Sequence, residues 1–250
     1  MPIHKTEAII LNKYDFGETS LIVNFYTKDF GKINGILKGV KQDPKKFLST
    51  LEPFSYNEII FYKKRNSNLH LVTQVELKDN FDLIRNDISR LNSAAIIIDL
   101  LNNLMAPEDK NEAVFNLSLD ALKELAISQN HNLEKIILIF KIKLLDLSGF
   151  KPHLDSCVCC NSKILSEARF SVALGGLLCL KCIRKDLSSR PIFRGTVASI
   201  LHIEKNDFKN NLNLGMNIQI KKELILVINS FLKFHLEKEL KSQKLLNKNL

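Results

Sequence analysis

The sequence predicts an α+β fold in which a small five-stranded barrel precedes helices that enclose a four-cysteine metal segment. Residues typical of strands alternate with turn residues over the first 80 positions, apolar residues then recur at helical spacing, and two Cys-x-x-Cys pairs follow. These patterns divide the chain into a barrel at 1–80, a helical domain at 81–150, a cysteine segment at 151–190 and C-terminal helices at 191–250 that pack on the helical domain.

Five short segments rich in β-branched and aromatic residues predict the strands of the barrel. Turn material separates them, for example Asp15-Phe16-Gly17. The predicted strands are Glu7–Tyr14, Ser20–Thr27, Lys32–Val40, Pro53–Tyr62 and Leu69–Leu77. Their number and length fit the OB-fold, a five-stranded Greek-key barrel. Counting strands leaves another small β-barrel open as an alternative.

Apolar residues recur every three or four positions after Asp79, which predicts helices. Three such stripes cover residues 84–98, 114–125 and 133–147, and we interpret them as helix faces buried in a core. Gly149 is a plausible stop for the third helix. Beyond Pro191 the spacing of Leu224, Ile228 and Phe231 predicts a further helix.

The chain is basic, with 36 Lys and Arg against 27 Asp and Glu and a net charge of +9. Such a surplus favours polyanionic partners such as nucleic acid, while a surface that only aids solubility is the alternative. No apolar run approaches the length that spans a membrane, and the N-terminus lacks a secretion signal. We therefore expect a cytoplasmic protein whose cysteines stay reduced, which favours metal binding over disulfides.

The two Cys-x-x-Cys pairs are the sharpest motif of the chain. Cys157 and Cys160 form the first pair, and Cys179 and Cys182 form the second at zinc-ribbon spacing. Four thiolates complete a tetrahedron and leave no open position, which predicts one structural zinc ion. Free cysteines and an iron–sulfur cluster are the alternatives. Cys159 offers another first knuckle, but Cys160 repeats the gap of the second pair.

Basic residues cluster where a barrel of this class would bind a strand of nucleic acid. Such barrels hold the backbone in a basic groove and stack bases on aromatic rings. On the barrel the basic candidates are Lys38, Lys41, Lys45, Lys46, Lys63, Lys64 and Arg65. The aromatic candidates, most of them better explained as core, are Tyr14, Phe25, Tyr26, Phe47 and Tyr62. A possible second basic surface comprises Lys181, Arg184, Lys185, Arg190 and Arg194. Solvated loops are the alternative in both places.

Motifs for common enzyme chemistry are missing from the sequence. There is no P-loop, no dinucleotide-binding glycine pattern, no zinc-protease motif and no nucleophile elbow. Lys13-Tyr14-Asp15-Phe16-Gly17 resembles the K-x-D-G motif of DNA ligases, but an extra residue separates Asp15 from Gly17. A ligase needs a whole catalytic domain around this motif, whereas the chain opens with it, so we expect no ligase chemistry. We expect a protein that is not an enzyme.

The order and separation of several short segments resemble the bacterial RecO family from end to end. The N-terminal ones are Glu7-Ala8-Ile9-Ile10-Leu11, Gly17-Glu18-Thr19-Ser20, Phe25-Tyr26-Thr27, Gly31-Lys32, Lys38-Gly39, Leu51-Glu52-Pro53-Phe54 and the strand 71–77. The C-terminal ones are Gly149-Phe150-Lys151-Pro152 before the first knuckle and Gly175-Gly176 before the second. Each segment is weak alone, and together they are specific.

This resemblance implies a recombination mediator in DNA repair that works on the nucleoid. It implies binding of single- and double-stranded DNA, annealing of complementary strands without ATP, and help in loading RecA onto strands coated by single-strand binding protein. The implied partners are RecR, RecF in many bacteria, and the acidic C-terminal tail of single-strand binding protein. The implied DNA-contact region of the barrel falls on Lys32, Lys38, Lys41, Lys45 and Lys46.

The chain departs from the family pattern in its basic loop, where Lys stands in positions that often hold Arg. This substitution keeps the charge but loses bidentate phosphate geometry. Family members also do not all keep the four cysteines, so the zinc prediction rests on this sequence alone. The first alternative is a general nucleic-acid-binding protein of transcription or translation, which would bind strands without annealing them. The second is a protein scaffold, whose interactions would depend little on salt.

Overall fold

A computed structural model of the chain describes residues 2–42, 50–64, 67–164 and 167–236. Two compact units divide between Glu134 and Lys135. The finer four-part division drawn from the sequence stays a prediction. No helix in these described ranges is both long and apolar enough to cross a bilayer.

The first unit begins with a closed five-stranded barrel in the order β1-β2-β3-β5-β4, the strand order of the predicted OB-fold. The strands are β1 (Ile3–Phe16), β2 (Ser20–Thr27), β3 (Gly31–Leu37), β4 (Tyr56–Tyr62) and β5 (Leu69–Asp79). The interior is filled by apolar side chains that alternate along the strands, including Val23, Phe25, Ile59 and Phe61. The structure therefore confirms the predicted barrel. It ends the third strand at Leu37, where the sequence predicted Val40.

A β-bulge at Leu11 interrupts the alternation of β1. The register with β2 shifts between Ile10, which pairs with Phe25, and Asn12, which pairs with Asn24. Leu11 is fully buried as the extra residue. Because a bulge adds one residue, it exchanges the inner and outer faces of the strand beyond it.

Tyr14 and Phe16 lie on the outer face as a result of this exchange. Tyr14 pairs with Ile22, and Phe16 pairs with Ser20. The two residues are 54% and 49% exposed. Lys13 pairs with Val23, a residue of the barrel interior, and its Nζ reaches the Glu52 carboxylate at 2.6 Å.

The helices of the first unit are α1 (Asp82–Arg85), α2 (Ile88–Leu104) and α3 (Glu112–Ile127). The first predicted apolar helix face, residues 84–98, is thus divided between α1 and α2. Asp87 separates them, because its carboxylate accepts hydrogen bonds from the backbone N–H groups of Ser89 and Arg90 and caps α2. Ile88 follows this cap and is 70% exposed, so its assignment to the core was wrong.

The loop between α2 and α3 packs against the start of β3. The backbone N–H of Glu108 donates to the carbonyl of Lys32 at 2.9 Å, and its carboxylate contacts Lys63 Nζ at 2.6 Å. Gly31 has a φ of +64°, and a Cβ built on it would lie 2.0 Å from the carbonyl oxygen of Asp109. Only glycine allows the loop to approach this closely.

The second unit contains α4 (Leu133–Leu147), a three-stranded sheet and three more helices. The sheet has the order β7-β6-β8, with β6 (Ala168–Ser171), β7 (Gly176–Cys179) and β8 (Arg190–Ile192). The helices are α5 (Arg194–Lys205), α6 (Phe208–Leu212) and α7 (Ile218–Leu236). The buried Lys141 of α4 donates to Asn229 Oδ1 of α7 at 2.8 Å. Leu224, Ile228 and Phe231 are buried, as their spacing predicts.

Candidate metal centre and nucleic-acid interface

The first cysteine pair lies in a tight turn that is docked onto β7. Within the turn, the backbone N–H of Asn161 donates to the carbonyl of Cys157 at 2.9 Å, and Asn161 adopts a φ of +58°. Asparagine tolerates this left-handed conformation better than most residues. The backbone N–H of Val158 donates to Leu177 of β7 at 2.8 Å, which fixes the turn beside the second pair.

The second pair completes a cluster of four sulfurs. Cys179 ends β7, and Cys182 lies in the 3-10 helix Leu180–Lys185 that follows. The Sγ atoms of Cys157, Cys160, Cys179 and Cys182 all lie within 4.8 Å of one another. Cys160 Sγ and Cys179 Sγ are 3.7 Å apart. Zinc with bonds of ~2.3 Å to a tetrahedron of sulfurs spaces them about 3.8 Å apart, so the residues present fit this ion.

The crowding of the thiols changes their protonation. Hydrogen bonding to the Ser162 side chain is the largest of the effects that lower the pKa of Cys160 to about 6. A hydrogen bond to Cys160 is the largest of those that raise the pKa of Cys182 to about 12. Four adjacent thiols cannot all ionise without a compensating cation. The cluster is therefore chemically suited to exchange its protons for a metal ion.

Cys159 takes no part in the cluster of four sulfurs. Both Cys159 and its neighbour Cys160 are exposed, but only the Cys160 sulfur lies within 4.8 Å of the sulfurs of Cys157, Cys179 and Cys182. The structure thus brings together the pair with the two-residue gap and leaves out the alternative knuckle.

The predicted basic residues of the barrel differ in their surroundings. Lys32 Nζ is half-buried and donates to the carbonyl of Asn102 at 2.8 Å, and burial lowers the pKa of Lys32. Lys41 pairs with Asp15 at 2.9 Å, and Lys63 pairs with Glu108. Lys38 is exposed, Lys64 is half-buried, and neither has an acidic partner within the described ranges. Lys45, Lys46 and Arg65 lie outside the described residues.

The predicted aromatic residues of the barrel also differ in their burial. Phe25 and Tyr26 are fully buried, and Tyr26 donates its hydroxyl hydrogen to the Asn111 carbonyl at 3.4 Å. Tyr14 is exposed, whereas Phe47 lies outside the described residues. Phe16 was missed by the sequence reasoning, which treated it as turn material. Its spacing of two residues from Tyr14 was the available signal, because such residues share a strand face.

The possible second basic surface lies in and after the second knuckle. All five of its side chains are exposed: Lys181, Arg184, Lys185, Arg190 and Arg194. Asp186 is the acidic residue among them, and its carboxylate is occupied by hydrogen bonds from Ser171 and Ser188.

Comparison with known proteins covers nearly the whole chain. The family model described as Recombination protein O N terminal matches residues 1–81, and the one described as Recombination protein O C terminal matches residues 85–244. The first match includes the five strands of the barrel, and the second includes helices α2 to α7.

Individual relatives agree with the family models. The chain is 33% identical over 234 residues to the DNA repair protein RecO of Alkaliphilus metalliredigens, with 94% of each chain covered. It is 32% identical over 251 residues to that of Syntrophus aciditrophicus, with 98% of this chain and 95% of the relative covered. It is 34% identical over 239 residues to that of Dehalococcoides mccartyi, with 95% and 92% covered. The chain therefore belongs to the RecO family of DNA repair proteins.

Proposed function

We propose that this protein is a recombination mediator that binds single- and double-stranded DNA, anneals complementary strands without ATP and helps to load RecA onto strands coated by single-strand binding protein. The observation that carries the proposal is the pair of family matches across a chain whose first unit opens with an OB-fold barrel. The protein acts by holding strands and partners, and we propose no catalysed reaction. Its proposed partners besides DNA are RecR, RecF and the tail of single-strand binding protein.

The four-cysteine cluster holds one zinc ion in this proposal. The ion is structural, because four thiolates fill its coordination sphere and leave no position for a reacting water. Its role is to join the first knuckle to the end of β7, onto which the Val158–Leu177 backbone hydrogen bond already docks the turn.

The proposed DNA surface of the barrel is narrower than the sequence prediction. Its basic members are Lys38, Lys41, Lys45, Lys46, Lys63, Lys64 and Arg65. Lys32 is left out, because its ammonium group is engaged by a backbone carbonyl of α2. Lys41 and Lys63 can exchange an exposed carboxylate partner for a phosphate at small cost, since surface ion pairs contribute little stability. The exposed basic residues after the second knuckle form a second proposed contact.

Strand annealing provides the direct test of the mediator proposal. We expect the protein to accelerate the annealing of two complementary fluorescent oligonucleotides that are coated with the cognate single-strand binding protein, in the absence of ATP. Replacing Lys38, Lys41, Lys45 and Lys46 together with glutamine should abolish the acceleration, because each removes a charge that neutralises phosphate. The rate of fluorescence-transfer gain measures the effect.

Strand binding without any acceleration would contradict the mediator proposal and favour the general nucleic-acid-binding alternative. Circular dichroism of the quadruple variant serves as its control for folding; Lys38 and Lys41 are not part of the barrel core.

The salt dependence of DNA binding separates lysines that contact phosphate from Lys32, whose ammonium group donates to a backbone carbonyl of the protein itself. If about six phosphates are contacted, log K for a single strand should fall against log salt with a slope near −4. Lys38→Gln should make this slope shallower by about 0.7, the contribution of one phosphate. Fluorescence anisotropy with a labelled oligothymidylate at several salt concentrations measures both slopes.

Lys32→Gln is the matched control, because Lys32 lies near the start of β3 and donates to the carbonyl of Asn102, whereas Lys38 follows the end of the same strand. We expect this variant to lower thermal stability and to keep the slope of the unmodified protein. Equal slopes for Lys38→Gln and the unmodified protein would remove Lys38 from the proposed DNA surface.

A further inference from the structure

The outer face of the barrel carries an apolar row that the basic surface alone does not explain. The row follows the strand register, from Tyr14 on β1 to Ile22 on β2, Ile36 on β3 and Leu71 on β5. Tyr14 is exposed, Ile22 and Leu71 are half-buried and Ile36 is buried, and none of the four belongs to the interior cluster of the barrel. Phe16 lies beside the row on β1, two residues beyond Tyr14. Large exposed aromatic side chains that adjoin further apolar surface are a mark of a binding site.

A row of amides runs beside the apolar row. Asn12 pairs with Asn24, and Asn24 pairs with Asn34, so the three side chains cross β1, β2 and β3 on one face. All three are half-buried, and none makes a side-chain hydrogen bond to another residue in the described part of the chain. Amides offer both donors and acceptors, and they can therefore pair with the polar edges of nucleic-acid bases.

Positive charge borders the apolar row on its other side. Lys38 follows β3 directly and is exposed. The segment after it lies against the β1–β2 turn, because the backbone N–H of Lys41 donates to the carbonyl of Thr19 at 3.1 Å. Lys41 lies in this segment and pairs with Asp15 of β1 at 2.9 Å. A strand of nucleic acid with its bases on the rings would thus find cations for its phosphates.

We propose that Tyr14 and Phe16 are a stacking platform for two bases of single-stranded DNA, with the asparagine row beside them contacting base edges. This inference rests on the proposed function and extends it from phosphate contacts to contacts with unpaired bases. The stacking platform consists of Tyr14 and Phe16, and the asparagine row consists of Asn12, Asn24 and Asn34.

The spacing of the two rings favours a single strand over a duplex. Residues two apart on a strand are separated by about 6.8 Å, twice the rise per residue. Bases in a duplex strand follow each other at ~3.4 Å. Two bases can therefore stack on Tyr14 and Phe16 only when they are separated from each other, which a single strand allows. Binding of duplex DNA should not use this platform.

A protein partner is the competing occupant of this face. The bordering lysines and the amides favour nucleic acid, because an apolar protein interface would leave three unpaired amides beside its core. The two occupants also differ in the chemistry they need. Stacking needs a ring at position 14, whereas an apolar protein contact accepts an aliphatic side chain of similar size.

A tryptophan placed in the platform reports directly on stacking. The chain contains no tryptophan, so Tyr14→Trp introduces a single indole at an exposed position. We expect an oligothymidylate of about 20 nucleotides, long enough for one barrel, to quench this indole on binding. An abasic oligonucleotide of equal length should bind more weakly and leave the fluorescence unchanged. Ile127→Trp, at a 72% exposed position of α3, is the control that neither oligonucleotide should quench.

A pair of substitutions separates stacking from general apolar contact. Tyr14→Phe keeps the ring and should bind the oligothymidylate as the unmodified protein does. Tyr14→Leu should weaken binding about 10-fold, within the range known for loss of one base–aromatic contact, with an unchanged salt slope and unchanged duplex binding. Anisotropy with single-stranded and duplex DNA measures these affinities.

The outcomes distinguish this inference from the proposed function. Binding of the oligothymidylate without quenching of Trp at position 14, or with full affinity in Tyr14→Leu, would overturn the platform and assign the exposed rings to a protein partner. DNA binding by phosphate contact would then still stand. No binding of either oligonucleotide would overturn both proposals.

Discussion

Cys160→Ser will remove the bound metal and unfold the segment around the knuckles, whereas Cys159→Ser will leave both intact. The two residues are neighbours and both are exposed, but only Cys160 belongs to the sulfur cluster. Structural zinc contributes about 10 kcal/mol or more in isolated zinc peptides, so the loss of one ligand should cost several kcal/mol. Zinc content by elemental mass spectrometry and thermal unfolding measure the two effects.

Because the exposed Cys160 fills no part of a core, its replacement tests coordination rather than packing. Chelation of the unmodified protein should give the same result, with protease cleavage appearing first in the segment between Lys151 and Lys185. Equal zinc content in the Cys160→Ser and Cys159→Ser proteins would contradict the assignment of the ligands.

Gly31→Ala is the substitution outside the metal site with the largest expected cost. The new methyl group would lie 2.0 Å from Asp109 O and 2.5 Å from Asp109 C, and backbone atoms cannot move aside as a side-chain end can. The residue also has a φ of +64°, which costs alanine about 1–2 kcal/mol. We expect a total of about 4 kcal/mol or more, measured as the decrease in the free energy of unfolding in urea.

Gly17→Ala is the control that separates these two contributions. Gly17 has a φ of +61° in the same unit, and a Cβ built on it has no neighbour within 4 Å. Its cost should therefore be the conformational part alone, about 1–2 kcal/mol. Similar costs for both variants would mean that the loop between α2 and α3 leaves β3 readily, which would contradict the close packing seen at Gly31.

The features that short sequence patterns determine were predicted well. Strand β2 has the predicted bounds Ser20–Thr27, because turn residues flank a segment rich in β-branched and aromatic residues. The four cysteines lie together as their spacing predicts, and the Val158–Leu177 backbone hydrogen bond holds the first turn against β7, which ends in the second pair. The sequence reasoning missed the capping role of Asp87, although an aspartate directly before an apolar helical pattern is a recognisable helix start.

Features that depend on distant contacts could not be predicted. A count of lysines does not reveal that Lys32 donates to Asn102, 70 residues away, while Lys38 faces solvent. The exposure of Phe16 depends on the bulge at Leu11, and a run of three apolar residues from Ile9 to Leu11 does not show which of them is the extra one. Sequence reasoning therefore identified candidate basic and aromatic residues but could not tell which of them face solvent.

The bulge at Leu11 also determines which deletions and substitutions β1 can accept. Deleting one residue there would restore simple alternation, turn Tyr14 and Phe16 toward the interior and force Lys13 outward, so that every later position would change face at once. Loss of two residues would keep the faces and only shorten the strand. In this stretch, whether an odd or an even number of residues is lost matters more than the identity of most side chains. Single-residue deletions should therefore be far more harmful than substitutions.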